Sequence, residues 1–191
     1  MEVRRLKCCL VGNYGVGKTS IVHCQLEKPV DNLQSTVGID FFTTRILVAD
    51  DEIILSIWDT AGAERYRSLM QTYVHGSNIV MVVYDVTDTN AMQTVTTWLR
   101  VVEQYKPGVV AIVGNKNDLT SHVHDLHDTL APYRRLNWKI VTGTCSSRSR
   151  PSVQKIFHRC LNSLLAPQTP KSTPGQTVKF RKTKKMRKCC T

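Results

Sequence analysis

GNYGVGKT, residues 12–19, decides how the rest of this chain is read. A glycine is followed by four residues, then Gly17, Lys18 and a hydroxyl residue, which is the spacing of a phosphate-cradling loop. Upstream, KCCLVG (7–12) is a continuous apolar run of buried-strand type. Downstream, a helical pattern starts at Lys18. A glycine-rich turn between strand and helix lets successive N–H groups and the helix dipole face an anion. Gly15, Val16, Gly17 and Ser20 supply that cradle. Lys18 brings a point charge to the β and γ phosphates, and the Thr19 hydroxyl is a ligand for Mg²⁺. The competing reading, a chance glycine turn, is a roughly 1% event for a chain of ordinary composition and this size.

Strand and helix patterns alternate outward from the loop. Phe41–Val48 and Ile53–Asp59 read as two strands around an Asp-Asp turn at 50–51. NIVMVVYDV (78–86) and VVAIVGN (109–115) are continuous β-rich runs, and KIVTG (139–143) is a short last strand. Helical stretches are expected near 91–105, 124–135 and 151–165. The expectation is an α/β fold: a mostly parallel six-stranded sheet with helices on both faces and ligands beyond the carboxyl ends of the strands. The folded domain is expected over 1–165. From 166 the text becomes APQTPKSTPGQTVKF, which reads as a disordered linker and tail over 166–191.

Charge supports that division. The net charge is +11, yet Lys171, Lys179, Arg181, Lys182, Lys184, Lys185, Arg187 and Lys188 supply eight positive charges in the tail, which has no acidic residue. The basicity belongs to the tail, not to the domain. No run of 18 apolar residues reads as a spanning helix, and MEVRRLKCCLVG does not read as a secretion signal. Seven cysteines in such a chain are expected to be reduced, with Cys8, Cys9, Cys24 and Cys160 as buried structural thiols.

A phosphate loop does not choose a base. Asn115-Lys116-Asn117-Asp118, at the end of a predicted strand, does. The Asp118 carboxylate can accept from both N1–H and the exocyclic amine of guanine. Adenine lacks that donor pair, and a site built around such pairing rejects the analogue without it. NKND alone also fits a polar turn. After a phosphate loop, in the matching strand–loop position, it is specific.

With these motifs in family order, the chain resembles a Ras-superfamily small GTPase of the Rab family, with the fold of a P-loop NTPase G domain. The resemblance covers residues about 7 to 147 and extends to the tail. It implies GTP/GDP and Mg²⁺ as ligands. Thr36 in STVGIDF matches the switch I threonine that ligates Mg²⁺ and senses the γ-phosphate. Asp59 matches the aspartate that holds the metal through water, and Gly62 the amide on the γ-phosphate. Val37, Gly38, Ile39, Asp40 and Phe41, with Trp58 and Tyr73, match positions that Rab effectors read; YRSL (66–69) is also of Rab type. The bland reading of the aromatics is core or surface filler, and for Trp58 both readings stand.

Several positions depart from the pattern. Ala63 replaces the glutamine that orients the attacking water. Tyr14 stands at the loop position nearest the γ-phosphate, where the family has a small residue. The serine-alanine-lysine triplet that closes the base pocket has become Cys145-Ser146-Ser147, with Ser146 expected to offer its amide to the guanine oxygen. The Gly17–Thr36 segment is about one residue short and lacks the aromatic that covers the base, leaving Val30 or Leu33 nearest. No catalytic residue is therefore assigned; slow GTP hydrolysis is expected beside retained phosphate and metal residues, and the altered base pocket implies weaker nucleotide affinity and faster exchange.

KCCT at the chain end is not a C-a-a-X box. Cys189 and Cys190 after a basic run resemble a Rab double-prenylation site. Two lipid chains, or one chain with basic residues, give a stable anchor. The resemblance implies effectors, an exchange factor, a GDP-dissociation-inhibitor-like protein and the prenylation machinery as partners. It implies a cytoplasmic location, peripheral on the cytosolic face of membranes. Nucleic acid is not expected as a partner, since no aromatic-lined folded surface accompanies the basic tail. Two functional readings follow: a cycling GTPase in vesicle trafficking, or a constitutively GTP-bound binding module.

Overall fold

A computed structural model of the chain describes residues 3–48, 51–62, 70–121, 124–136 and 138–166. Ala63, the YRSL stretch and the tail with Cys189 and Cys190 lie outside them, as does residue 50 of the turn expected at 50–51. Six strands form one sheet: β1 (Arg4–Val11), β2 (Ile39–Val48), β3 (Asp51–Thr60), β4 (Ile79–Asp85), β5 (Val109–Asn115) and β6 (Lys139–Thr144). Their order is β2-β3-β1-β4-β5-β6. Only β2 runs antiparallel to its neighbour.

The strands at the centre are buried on both faces, which is why β5 reads as an unbroken apolar run rather than an alternation. Helices cover the two faces. Helices α1 (Lys18–Gln25) and α5 (Arg150–Leu165) close a core of Leu10, Ile57, Met81, Val113 and Phe157. Helices α2 (Met70–Val74), α3 (Ala91–Glu103) and α4 (His127–Leu130) lie on the other face. There Val95, Trp98, Leu99 and Val102, spaced three and four apart, pack onto Val80, Val82, Val110 and Ile112. All five described cysteines, Cys8, Cys9, Cys24, Cys145 and Cys160, are buried and free. No helix among the described residues is long and apolar enough to cross a membrane.

One element differs from expectation. The helix expected over 124–135 is α-helical only at His127–Leu130 and continues as a 3-10 turn over Ala131–Arg135. Pro132 stands in the first turn of that segment. It has no N–H to donate back, so the α-helical ladder is broken and a tighter turn takes over.

Candidate nucleotide site

The phosphate loop runs from the end of β1 to the start of α1, at the carboxyl edge of the sheet. Its path depends on two glycines. Gly12 has φ +149°, and a Cβ there would stand 2.2 Å from the backbone oxygen of Val83 on the neighbouring strand. Gly17 has φ +92°, and its Cβ would stand 2.3 Å from Asn115 Nδ2. Both positions combine a left-handed backbone with a close approach. Gly12→Ala is expected to destabilise the domain by about 3 kcal/mol or more, because the clash is with strand backbone that cannot swing away. A urea melt of the variant against wild type reads this directly.

The loop is tied down from three sides. Asn13 accepts a bond from Trp98 Nε1 at 2.9 Å and donates to Thr94 Oγ1 at 3.3 Å, which fixes it to α3. Lys18 is buried, and its ammonium donates to the carbonyls of Gly12 (3.0 Å) and Asn13 (2.9 Å). Burial pulls the Lys18 pKa down to about 8, against the opposing charge of Asp59. Asn115, fully buried at the end of β5, donates from Nδ2 to the Val16 carbonyl at 3.0 Å and accepts the Ser147 amide at 3.0 Å. One side chain thus joins the phosphate loop to the base-recognition loop. The Val16 side chain is buried in the core, so what this residue can offer a phosphate is main chain.

On the opposite side of the loop three oxygens converge. Thr19 Oγ1 donates to Asp59 Oδ2 at 2.5 Å and lies 2.7 Å from Thr36 Oγ1; Thr36 Oγ1 is 3.5 Å from the same carboxylate oxygen. The second oxygen, Asp59 Oδ1, is buried without a hydrogen-bond partner among the described residues. Burial raises the Asp59 pKa, opposed by the Thr19 hydroxyl and by Lys18. A buried carboxylate oxygen with no donor, beside two hydroxyls, is a hard-oxygen set that suits Mg²⁺. The residues present therefore fit the metal, which Thr19, Thr36 and Asp59 would hold. Gly62 lies against the phosphate loop, where an added Cβ would be 2.5 Å from Tyr14 N and from Asn13 C and O. Tyr14 itself is exposed, and its hydroxyl is 2.8 Å from Ser35 Oγ. Together with Lys18, Thr19, Thr36 and Gly62 it lines a cleft of about 180 Å³.

A second cleft of about 230 Å³ continues from Gly15 and Ser20 to Asn115, Lys116, Asp118 and Leu119. Val30 lines it, as expected for the residue nearest the base, while Leu33 lines the phosphate cleft. Lys116 has φ +66° and makes a 2.6 Å ion pair with Asp85 at the end of β4. Burial works against ionisation of Asp85, but Lys116 and the Thr87 hydroxyl and amide outweigh it and hold the carboxyl below its usual range. The Ser146 hydroxyl holds the Asp118 carboxyl below its usual range, with Arg148 adding to the effect. Asp118 is thus a ready acceptor pair.

The triplet is disposed differently from the sequence expectation. Cys145 is fully buried, with its sulfur 3.9 Å from Asn115 Oδ1, and does not face the cleft. The Ser146 amide, expected to face guanine, donates instead to Ser152 Oγ at 3.1 Å. Ser147, the third expected residue, lines the base end together with Arg148. The reason is local: Cys145 is drawn inward by its amide bond to the Gly114 carbonyl (2.7 Å), and Ser152 on the first turn of α5 captures the next amide. Sequence reasoning also missed Asn13, Trp98, Asp85, Ser152 and Arg148. Of these, only Asp85 carried a signal, as a carboxylate at the end of a buried strand.

The residues expected to meet effectors form one surface. Phe41 faces Trp58 across the antiparallel β2–β3 pair, with ring centroids 5.5 Å apart. Tyr73 lies 6.4 Å beyond Trp58, and the Lys7 ammonium sits 4.2 Å above the Trp58 ring. Val37 and Phe41 are exposed, while Trp58 packs partly onto the core. A further hollow of about 440 Å³ lies elsewhere, between α4 and the Thr142–Thr144 strand end.

The fold and these two clefts define a phosphate-loop nucleotide-binding domain. Comparison with known proteins narrows this. The Ras family model matches residues 7–166. The chain is 33% identical over 195 residues to Ras-related protein Rab-22A of Mus musculus, and 31% identical over 195 residues to Ras-related protein Rab-31 of the same species, covering 100% of both chains in each case. It is 42% identical to Rab-22A of Homo sapiens over 122 residues, 62% of this chain and 63% of the relative. The chain belongs to the Ras family of small GTPases, within its Rab group.

Proposed function

We propose that this chain is a guanine-nucleotide-binding Rab switch that stays GTP-bound far longer than a cycling GTPase. It recruits effector proteins at a membrane surface in vesicle trafficking. The observation that supports this best is the asymmetry of the site. Lys18, Thr19, Thr36, Asp59 and Asp118 are all in place, while Ala63 stands where the water-orienting glutamine belongs. Mg²⁺, when bound, neutralises the phosphate charge. Lys18 and the N-terminal amides of α1 orient the phosphates, and Asp118 selects the base. Competition of GDP, ADP and XDP for the purified chain tests the nucleotide reading. Guanine should win by two orders of magnitude or more, and equal ADP and GDP affinity would end it.

Membrane recruitment is assigned to Cys189 and Cys190 behind the basic run. Cys189→Ser with Cys190→Ser is expected to shift the protein from the membrane pellet to the soluble fraction, with the melting temperature of the domain unchanged. Mass spectrometry of the native C-terminal peptide is the direct measurement. An unmodified dicysteine in protein from its own cell would overturn the anchor.

A further inference from the structure

We propose that Tyr14 is a latch for switch I: its phenol hydroxyl, bonded to Ser35, holds Thr36 at the metal side of the phosphate cleft whichever guanine nucleotide is bound. The proposal rests on the nucleotide reading above and extends it to what controls the state of the switch.

Tyr14 leaves the phosphate loop at a fixed point. The residue before it, Asn13, is fastened to Trp98 and Thr94 on α3, and Lys18 grips the Asn13 carbonyl from beneath. Gly62 backs onto the same peptide. The phenol is therefore carried on a rigid base, and its 2.8 Å contact with Ser35 Oγ spans to the segment before β2. Ser35 is the neighbour of Thr36, whose hydroxyl is 2.7 Å from Thr19 and 3.5 Å from Asp59. Fixing Ser35 restricts Thr36 to that triangle. Beyond it, Val37 and Phe41 open the exposed aromatic surface.

Both ends of the latch are protein side chains, so neither needs a γ-phosphate oxygen. An interaction present in both nucleotide states stabilises the ordered switch in both. The γ-phosphate contact is then asked to supply less of the ordering, and the two states differ less in what they present to a partner. Such a contact is consistent with a chain whose hydrolysis chemistry is impaired, since little of its signal depends on the phosphate being removed.

Amide hydrogen exchange over residues 34–37 tests this on the full chain with GDP, with a non-hydrolysable GTP analogue, and without nucleotide. Wild type should show similar protection in the GDP and GTP-analogue forms. Tyr14→Phe keeps the ring and loses only the hydroxyl; it should speed exchange about threefold to tenfold in both the GDP and the GTP-analogue forms. Ser35→Ala should do the same, and the double variant should do no more than either single one. In the nucleotide-free chain both variants should also exchange faster than wild type. Equal exchange of wild type and both variants with GDP would overturn the latch. If the chain binds no guanine nucleotide, the proposed function fails instead, and the nucleotide-free comparison decides the latch alone: equal exchange there overturns it, faster exchange in both variants upholds it.

Discussion

Asp118→Asn is expected to lower affinity for GDP and GTP by about 10³-fold and to bring xanthine nucleotides up to the level that guanine held. The carboxylate is an acceptor pair at the end of the base cleft, and the Ser146 hydroxyl, with Arg148, holds its pKa below the usual range. Guanine presents N1–H and an exocyclic amine to it. An amide in its place keeps one acceptor and turns a donor toward one of those donors, so a charge-assisted bond is lost and a polar group is left unpaired. Losses of that kind add up to about 4 kcal/mol, which is three decades of affinity. Xanthine carries a carbonyl where guanine carries the amine, so it meets the new donor with an acceptor. Titration with fluorescent GDP and XDP reads both changes. A variant that binds neither base, with an intact melting curve, would show that Asp118 supports the loop rather than reading the base.

How much of this was legible in the sequence depended on where the cause lay. The mostly parallel sheet was legible from strand runs whose apolar content announces two-sided burial and from the strand–helix alternation around the loop motif, whereas the strand order was not. Lys18, Thr19 and Asp118 were expected because the ligand chemistry demands their side chains at fixed spacings, and Asp59 because of the family resemblance. Main-chain donors were not. The amide of Ser146 goes to Ser152 because α5 begins with an accessible hydroxyl at that point, and no spacing rule records such a competition. The same holds for Asn13, whose ties to Thr94 and Trp98 cross more than 80 residues of sequence. The helix expected over 124–135 gives way to a 3-10 turn for a local reason, Pro132 in the first turn of that segment.

The second large effect is on hydrolysis. Ala63→Gln is expected to raise the single-turnover GTP hydrolysis rate by about 10- to 100-fold with little change in GTP affinity. The groups proposed to bind GTP in the ground state are Lys18 and the Thr19–Thr36–Asp59 cluster, all at other positions of the sequence. What alanine lacks is a group that accepts from and donates to the attacking water, so the deficit belongs to the transition state and slows chemistry without weakening binding. An activator's arginine is worth ~10³–10⁵ in rate when the water is aligned and there is room beside the γ-phosphate. Tyr14 occupies the rim of that cleft and is tethered to Ser35 across it. Tyr14→Gly added to Ala63→Gln should therefore raise the response to an activator beyond that of Ala63→Gln alone. Tyr14→Gly by itself should gain much less, because a cleared path cannot position a water that no side chain holds. If wild type turns over as fast as Ala63→Gln, some other group places the water. The long-lived GTP state proposed for this chain would then have to give way to an ordinary GTPase cycle.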